Sequence, residues 1–235
     1  MIPADTLALI ERALDWATLM QGNPKWALKC LGFVEAAYEH GNNIEVFGYS
    51  SAREAADHYT LIDGEAMPPR GALIFFDLWG VISGDYRNWG HVGISLGDGT
   101  LIHAWDVVRV DRNEDIAVLP TAPGWLRPCY IGWAHADDLL RGCVYRQWGP
   151  FQLVVDDNAH YMDEESRSMR RVYELEADAL RAAHEIVDAT LVDEQQSGLH
   201  GAELLRQYKQ FGDDPSITNS TFSAWDYATW RSRIL

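Results

Sequence analysis

The spacing of apolar residues predicts helices in the first part of the chain. Residues 1–20 (MIPADTLALIERALDWATLM) have helical periodicity, and the expected core-facing side chains are Leu7, Ile10, Leu14 and Trp16. After the GNP break at 22–24, apolar residues recur at helical spacing from about Lys29 to Glu39, and the GNN of 41–43 is expected to end this helix. The segment SAREAADHY predicts a shorter helix with Ser50 or Ser51 as its N-cap.

Beyond residue 70 the pattern changes to that of short strands. Apolar, β-branched and aromatic runs punctuated by glycine occupy 71–80 (GALIFFDLWG), 90–111 (GHVGISLGDGTLIHAWDVVRVD) and 129–134 (CYIGWA). The GDG of 97–99 lies inside the second run and predicts a tight hairpin turn. The first domain is therefore expected to contain helices followed by a small sheet, over residues 1–145.

A second domain is expected over residues 150–235, after the WGP at 148–150. Strands are predicted at FQLVVDDN and RRVYEL, followed by a long helix over 176–195 and shorter helices at 201–212 and 222–234. The long helix carries an apolar stripe formed by Ala179, Leu180, Ala183, Ile186, Val187 and Leu191. The final helix is expected to pack through Trp225, Tyr227 and Trp230.

Composition and charge exclude several classes of function. With 47% hydrophobic residues in 235, the chain can bury a substantial core, and its net charge of −16 argues against a nucleic-acid partner. No apolar run approaches the roughly 20 residues needed to span a bilayer. The N-terminus lacks the basic region of a Sec signal peptide, so a cytoplasmic location or export by a non-Sec route is expected.

The cysteines suit a reducing compartment better than a disulfide framework. Cys30, Cys129 and Cys143 are odd in number and far apart, and none has zinc-ligand spacing with other cysteines or histidines. Cys129 and Cys143 flank strand-like segments and are expected in the core, as are most tryptophans of the first domain. The acidic DDNAHYMDEES stretch is interpreted as a solvated loop, because it lacks the spacing of a calcium loop. No cofactor and no metal are expected.

Cys30 has a different environment, because it falls where a helix is predicted to begin. The helix dipole and the free first-turn N–H groups favour a thiolate there, and the same N–H groups can stabilise an oxyanion. His91 opens one predicted strand, and His103 lies on its partner across the GDG turn. If the turn is tight, both histidines can face Cys30, which makes a Cys–His–His set geometrically available.

The order of Cys30, RGALIFF, HVGISLGDG and LIHA resembles that of the NlpC/P60 family of cysteine peptidases, over roughly residues 20–135. The resemblance implies an α+β, papain-like core in which a nucleophile-bearing helix packs on a small antiparallel sheet. It also implies that Cys30 is the nucleophile, that His91 is the base and that His103 orients the base. The second domain resembles a small uncharacterised bacterial α/β domain with VDDN-HYMDE and YK-FG-DP segments, which brings no known activity.

The residues around Cys30 depart from the usual DCSG of the family. Lys29 and Leu31 replace the acid and the small hydroxyl residue, and CLGFV is similar to the CxxFV of other NlpC/P60-like and CHAP-like amidases. The family's acid helps to recognise a free amine, whereas a lysine would repel an amine, could hold a carboxylate and would favour a thiolate at Cys30. Three aromatic side chains complete the expected substrate site: Trp26, Trp89 and Trp105.

The expected function is hydrolysis of amide bonds in peptidoglycan-type peptides through an acyl-enzyme. Asp106, near His103, could tune the site but is expected to be solvated. Two alternatives stay open: an acyltransferase on the same scaffold, and a non-enzymatic regulatory or toxin–immunity module. In the latter, residues 150–235 could bind a protein partner.

Overall fold

The structure is a computed structural model that describes residues 4–64, 67–160 and 168–235. The helices are α1 (Ala4–Leu19), α2 (Cys30–Asn42), α3 (Ala52–His58), α4 (Ala136–Leu140), α5 (Glu176–Gln196), α6 (Gly201–Phe211) and α7 (Ala224–Arg231). The strands are β1 (Ile44–Glu45), β2 (Leu73–Asp77), β3 (Trp79–Ile82), β4 (Asp85–Asn88), β5 (His91–Ser95), β6 (Thr100–Ala104), β7 (Val108–Arg112), β8 (Cys129–Ala134), β9 (Val144–Tyr145), β10 (Phe151–Asp157), β11 (Ser168–Tyr173) and β12 (Asp213–Ile217).

These elements form two compact units, and the predicted α+β fold class is confirmed. The first unit consists of the described residues of Met1–Thr18 and Trp26–Arg146, and the second of Leu19–Lys25 and Gln147–Leu235. The short segment Leu19–Lys25 therefore belongs with the second unit, although the sequence analysis assigned it to the first domain. In the second unit the Lys25 ammonium donates to the carbonyl of Thr221.

Helix α1 buries three of its four predicted core residues. Ile10, Leu14 and Trp16 are each about 1% exposed, whereas Leu7 is 48% exposed, so its prediction as a core residue was wrong. Leu7 lies one turn before Ile10, near the N-terminal end of the helix. Helical periodicity identifies the buried face of a helix, but it cannot tell how far along the helix the packing partner extends.

Helix α2 begins at Cys30 and continues past the glycine that was expected to end it. Gly41 lies inside the helix, where an added Cβ would fall 2.6 Å from the carbonyl oxygen of Arg12 on α1. The glycine therefore permits close helix packing. The helix ends instead at Asn43, which adopts the left-handed conformation with φ 53°. Ser51 caps α3 as predicted, since its hydroxyl accepts from the backbone N–H of Glu54.

The central sheet of the first unit is antiparallel and has the order β7-β6-β5-β2-β8. Helix α2 packs on β5 and β6. The opposite face is covered by a cluster that includes Ile116, Leu119 and Trp133. Because both faces are covered, successive side chains of β2 and β5 are buried, which explains why these strands read as continuous apolar runs.

A hairpin of β3 and β4 was not predicted. The sequence analysis ended its strand run at Gly80, whereas the chain turns at Ser83 and Gly84, both with positive φ, and pairs Trp79 with Asn88. The polar and exposed DYRN of β4 lacks the apolar alternation that marks a half-buried strand. Trp79 is 42% exposed on this hairpin and is therefore not a core residue.

The two cysteines expected in the core are not buried. Cys129 is exposed and pairs with Asp77 at the end of β8, and Cys143 is half-buried in the turn between α4 and β9. Cys129 opens a strand whose buried part begins only at Gly132, and Cys143 has exposed neighbours on both sides. Apolar character in neighbouring residues does not extend burial to the residue where a strand begins.

The second unit contains a sheet of order β11-β10-β12 on which helices α5 and α7 pack, and α6 packs against these two helices. The stripe predicted on α5 is buried, except that Ile186 is only partly covered. Strand β12 was missed because its DDPSI sequence has proline and acidic residues, which suit an edge strand. On α7, Tyr227 is buried but Trp225 is 43% exposed, so the packing role predicted for Trp225 was wrong.

Two further structural findings concern the described residues. Within 4–64, 67–160 and 168–235, no helix is both long enough and apolar enough to cross a bilayer. No group of three or more His, Cys, Asp and Glu side chains in these ranges could hold a metal ion. Much of the acidic stretch of 156–166 lies outside the described residues.

Gly93 lies opposite His103 in the β5–β6 ladder, and this contact predicts a stability effect. An added Cβ would fall 2.7 Å from Leu101 Cδ1 and 2.8 Å from His103 Cβ. We expect Gly93→Ala to lower the free energy of unfolding by about 1–3 kcal/mol, because β6 must move away. Urea denaturation measures the change.

The matched control is Gly32→Ala on α2, where an added Cβ meets nothing within 4 Å. Because alanine favours a helix over glycine, this variant should be at least as stable as the wild type. A Gly93→Ala protein as stable as Gly32→Ala would contradict the close approach of β5 and β6.

Candidate active site

Cys30 is the first residue of α2, and no side chain caps this helix. Lys29 occupies the N-cap position, where the ammonium cannot accept a hydrogen bond, and its carbonyl receives the N–H of Phe33 at 2.8 Å. The first-turn N–H groups are therefore not engaged by a capping side chain. This is the backbone arrangement that can bind an oxyanion beside a nucleophile.

Burial and the backbone N–H groups have opposite effects on the Cys30 thiol. Burial raises the pKa of the thiol to about 11, although the backbone N–H groups of Val92 and Leu31 oppose this shift. Desolvation therefore opposes the thiolate that the helix terminus favours, and of the two effects desolvation is the larger.

His91 and His103 contact each other through their ring nitrogens. His91 Nε2 and His103 Nδ1 are 2.8 Å apart, and the two rings are nearly perpendicular at 83°. The contact follows from the strand register, which pairs Gly93 with His103 and so places His91 two residues away along β5. Both side chains are buried, and burial lowers the pKa of each imidazole, most strongly for His91.

A carboxylate and a guanidinium continue this chain of contacts. His103 Nε2 lies 2.9 Å from Asp111 Oδ2, and Arg109 holds both carboxylate oxygens of Asp111 through Nε and a terminal nitrogen. The sequence analysis missed both residues. The sequence RVD at 109–111 contained a usable signal. Residues 109 and 111 lie on the same face of β7, because side chains alternate along a strand, and Arg109 pairs with His103.

A cavity of about 660 Å³ brings most of the predicted site residues together. Cys30 and His91 line it, and so do the predicted substrate residues Lys29, Trp26, Trp89 and Trp105. His103 is not on its wall but lies behind His91. The indole ring of Trp105 meets the edge of the His91 ring at a centroid distance of 5.0 Å.

The cavity wall also contains residues that were not predicted as part of the site, among them Leu28 and Glu35. Leu28 is 75% exposed and has a positive φ of 62°, a conformation that its sequence neighbours do not indicate. Glu35 lies on α2, and burial raises the pKa of its carboxyl to about 7. Lys29 places an exposed cation on the cavity wall. Asp106 is exposed, as expected, and pairs with Arg109 at 3.5 Å.

A cysteine at the start of a helix, packed on a sheet that bears a buried histidine pair, is an arrangement typical of thiol-dependent hydrolases. Residues 19–117 match the model of the NlpC/P60 family, so the chain contains an NlpC/P60-like domain. This family consists in general of cysteine peptidases and amidases. The match includes Cys30, both histidines and Asp111, and it ends before β8. No curated protein matches the chain.

The raised pKa of Cys30 can be tested by titration. We expect its thiol to ionise well above the ordinary cysteine value of about 8.5, because the folded protein desolvates the thiolate. The measurement is the ultraviolet absorbance of the thiolate against pH, taken as the difference between the wild type and Cys30→Ser. Cys129→Ser, which removes an exposed thiol, is the control. A midpoint for Cys30 at or below 8.5 would contradict the raised pKa, and one below about 7 would show that a thiolate is preformed.

Proposed function

We propose that this protein is a cysteine peptidase or amidase that hydrolyses amide bonds in peptidoglycan-type peptides through an acyl-enzyme. The observation that carries the proposal is that Cys30 and His91 line one cavity, while His91 is held from behind by His103 at 2.8 Å. A nucleophile, a base and a group that orients the base are the components that such a reaction requires.

In the proposed reaction His91 acts as a general base during the attack. Because burial disfavours both a thiolate and an imidazolium, the resting pair is neutral. The thiol proton passes to the ring nitrogen of His91 that does not contact His103, as Sγ bonds to the amide carbonyl carbon. The negative charge that develops on the carbonyl oxygen is stabilised by the first-turn N–H groups of α2.

Collapse of the tetrahedral intermediate breaks the C–N bond. The His91 imidazolium returns its proton to the leaving amine, which leaves a thioester on Cys30 and a neutral histidine. Water then attacks the thioester with His91 again as base, and the acid product and the free thiol are released. The cycle needs no metal and no redox step.

The cavity supports a peptide substrate that carries a carboxylate. Its volume of about 660 Å³ lies within the range of sites for small ligands, and its indole rings offer apolar contact area. Lys29 places a cation beside the nucleophile, where it attracts a carboxylate and repels a free amine. This supports a substrate with a carboxylate near the scissile amide.

Removal of the nucleophile is the first test. Purified peptidoglycan and a panel of γ-glutamyl peptides are incubated with wild type and with Cys30→Ala, and products are identified by mass spectrometry. We expect Cys30→Ala to lower the rate by more than about 1,000-fold, because no other group forms the thioester.

Cys129→Ala is the matched control, because Cys129 is exposed and does not line the cavity. It should retain the wild-type product profile. Equal profiles for Cys30→Ala and the wild type would exclude Cys30 as the nucleophile. Products in which an added amine replaces water at the acyl group would favour the acyltransferase alternative.

The role of Lys29 is tested with pairs of peptides that differ in one group. Each pair has either a carboxylate or a carboxamide beside the scissile amide. We expect Lys29→Gln to raise KM about 2- to 5-fold for the carboxylate peptides only, the scale of an exposed ion pair.

Lys25→Gln is the control, because Lys25 does not line the cavity. It should leave KM unchanged for both peptides. An equal change of KM for the carboxylate and carboxamide peptides in Lys29→Gln would contradict recognition of the carboxylate.

A further inference from the structure

We propose that Asp111, held in place by Arg109, is a positioning residue that determines which ring nitrogens of His91 and His103 carry protons. The inference rests on the proposed function, in which His91 is the base. It extends the set of interacting side chains beyond the cysteine and the two histidines, to Asp111 and Arg109. The resulting chain of contacts ends on the guanidinium of Arg109.

The chain of contacts is short and buried at its centre. His91 Nε2 lies 2.8 Å from His103 Nδ1, and His103 Nε2 lies 2.9 Å from Asp111 Oδ2. The His103 side chain is fully buried, and the Asp111 side chain is 14% exposed. These groups need no bridging water, because each contact between them is a direct hydrogen bond.

The acceptor character of Asp111 assigns the protons on both rings. Although burial opposes it, hydrogen bonds from His103 and Arg109 lower the pKa of Asp111 to about 2, so the carboxylate is ionised and can only accept. His103 must therefore carry its proton on Nε2. Burial lowers the pKa of His103, and in the neutral ring the other nitrogen, Nδ1, is an acceptor.

The same reasoning assigns the proton on the His91 ring. Because His103 Nδ1 accepts, His91 must donate from Nε2, and its Nδ1 then holds the free lone pair. That nitrogen is the one not occupied by His103, and His91 lines the cavity together with Cys30. The acceptor-only carboxylate thus leaves His91 in the tautomer that can take a proton.

Arg109 holds both oxygens of the Asp111 carboxylate. Its Nε and a terminal nitrogen donate to the two oxygens of Asp111, which is the planar fork that fixes a carboxylate most firmly. The strand pairing supports this geometry, since Arg109 lies directly opposite His103. Arg109 is not required to fix the tautomers, because Asp111 remains an acceptor without it.

The direct test is the tautomeric state of the two histidines, measured by ¹H–¹⁵N NMR with ¹⁵N-labelled histidine. Measurements are made in the Cys30→Ala background, so they do not depend on activity. With Asp111 intact we expect both rings to be protonated on Nε2. Protonation of either ring on Nδ1 would overturn the proposal without any further variant.

Asp111→Ala should make the Nδ1-protonated form of one or both rings detectable, because His103 loses its obligatory acceptor. Asp106→Ala is the matched control: Asp106 also pairs with Arg109 but is largely exposed and is not hydrogen-bonded to His103. It should preserve both tautomers, and Arg109→Gln should do the same. Unchanged tautomers in folded Asp111→Ala would also overturn the proposal.

Kinetics separates this inference from the proposed function. With Cys30 present, Asp111→Ala should lower kcat by about 100-fold with KM unchanged, the scale expected for a displaced reacting group. Asp111→Glu should restore part of kcat. If Cys30→Ala retains activity, the proposed function fails whatever the tautomers are. If only the Asp111 variants behave as wild type, the positioning role fails alone.

Discussion

The buried hydrogen bond between His91 and His103 is the interaction on which the candidate site depends. It exists only because β5 and β6 pair in a register that puts His103 opposite Gly93 and two positions from His91. A shift of one residue would turn one ring to the other face of the sheet. The turn between β5 and β6 and the glycine at position 93 are therefore as important for the site as the histidines themselves.

Desolvation determines the chemical state of this site. Burial disfavours the charged forms of the Cys30 thiol and the His91 imidazole, and at Cys30 it opposes the field of the helix terminus. A site of this kind generates its charges only during the reaction, when the oxyanion and the imidazolium form together. Asp111 differs because its direct partners, His103 and Arg109, compensate its charge and keep it ionised. The charges of Asp111 and Arg109 thus lie behind the histidines.

Much of the architecture could be predicted because its signals are local. Helical periodicity located α1, α2 and α5, and glycine-bounded apolar runs located β2, β5, β6 and β8. The failures also have physical causes. Gly41 permits close packing of α1 and α2 instead of ending a helix, and β12 is an edge strand whose proline hides it. Strand β4 of the β3–β4 hairpin is exposed and polar, so burial left no pattern in its sequence.

The sequence by itself determined the α+β class, the start of α2 at Cys30 and the spacing of His91 and His103 across a turn, because each depends on residues close together in the chain. Only the tertiary structure decided the rest. It gathered Trp26, Lys29, Trp89 and Trp105 around one cavity, and it set Asp111 against His103. It also raised the pKa of the Cys30 thiol, since burial is a property of the packed fold, and desolvation then outweighs what the helix terminus contributes.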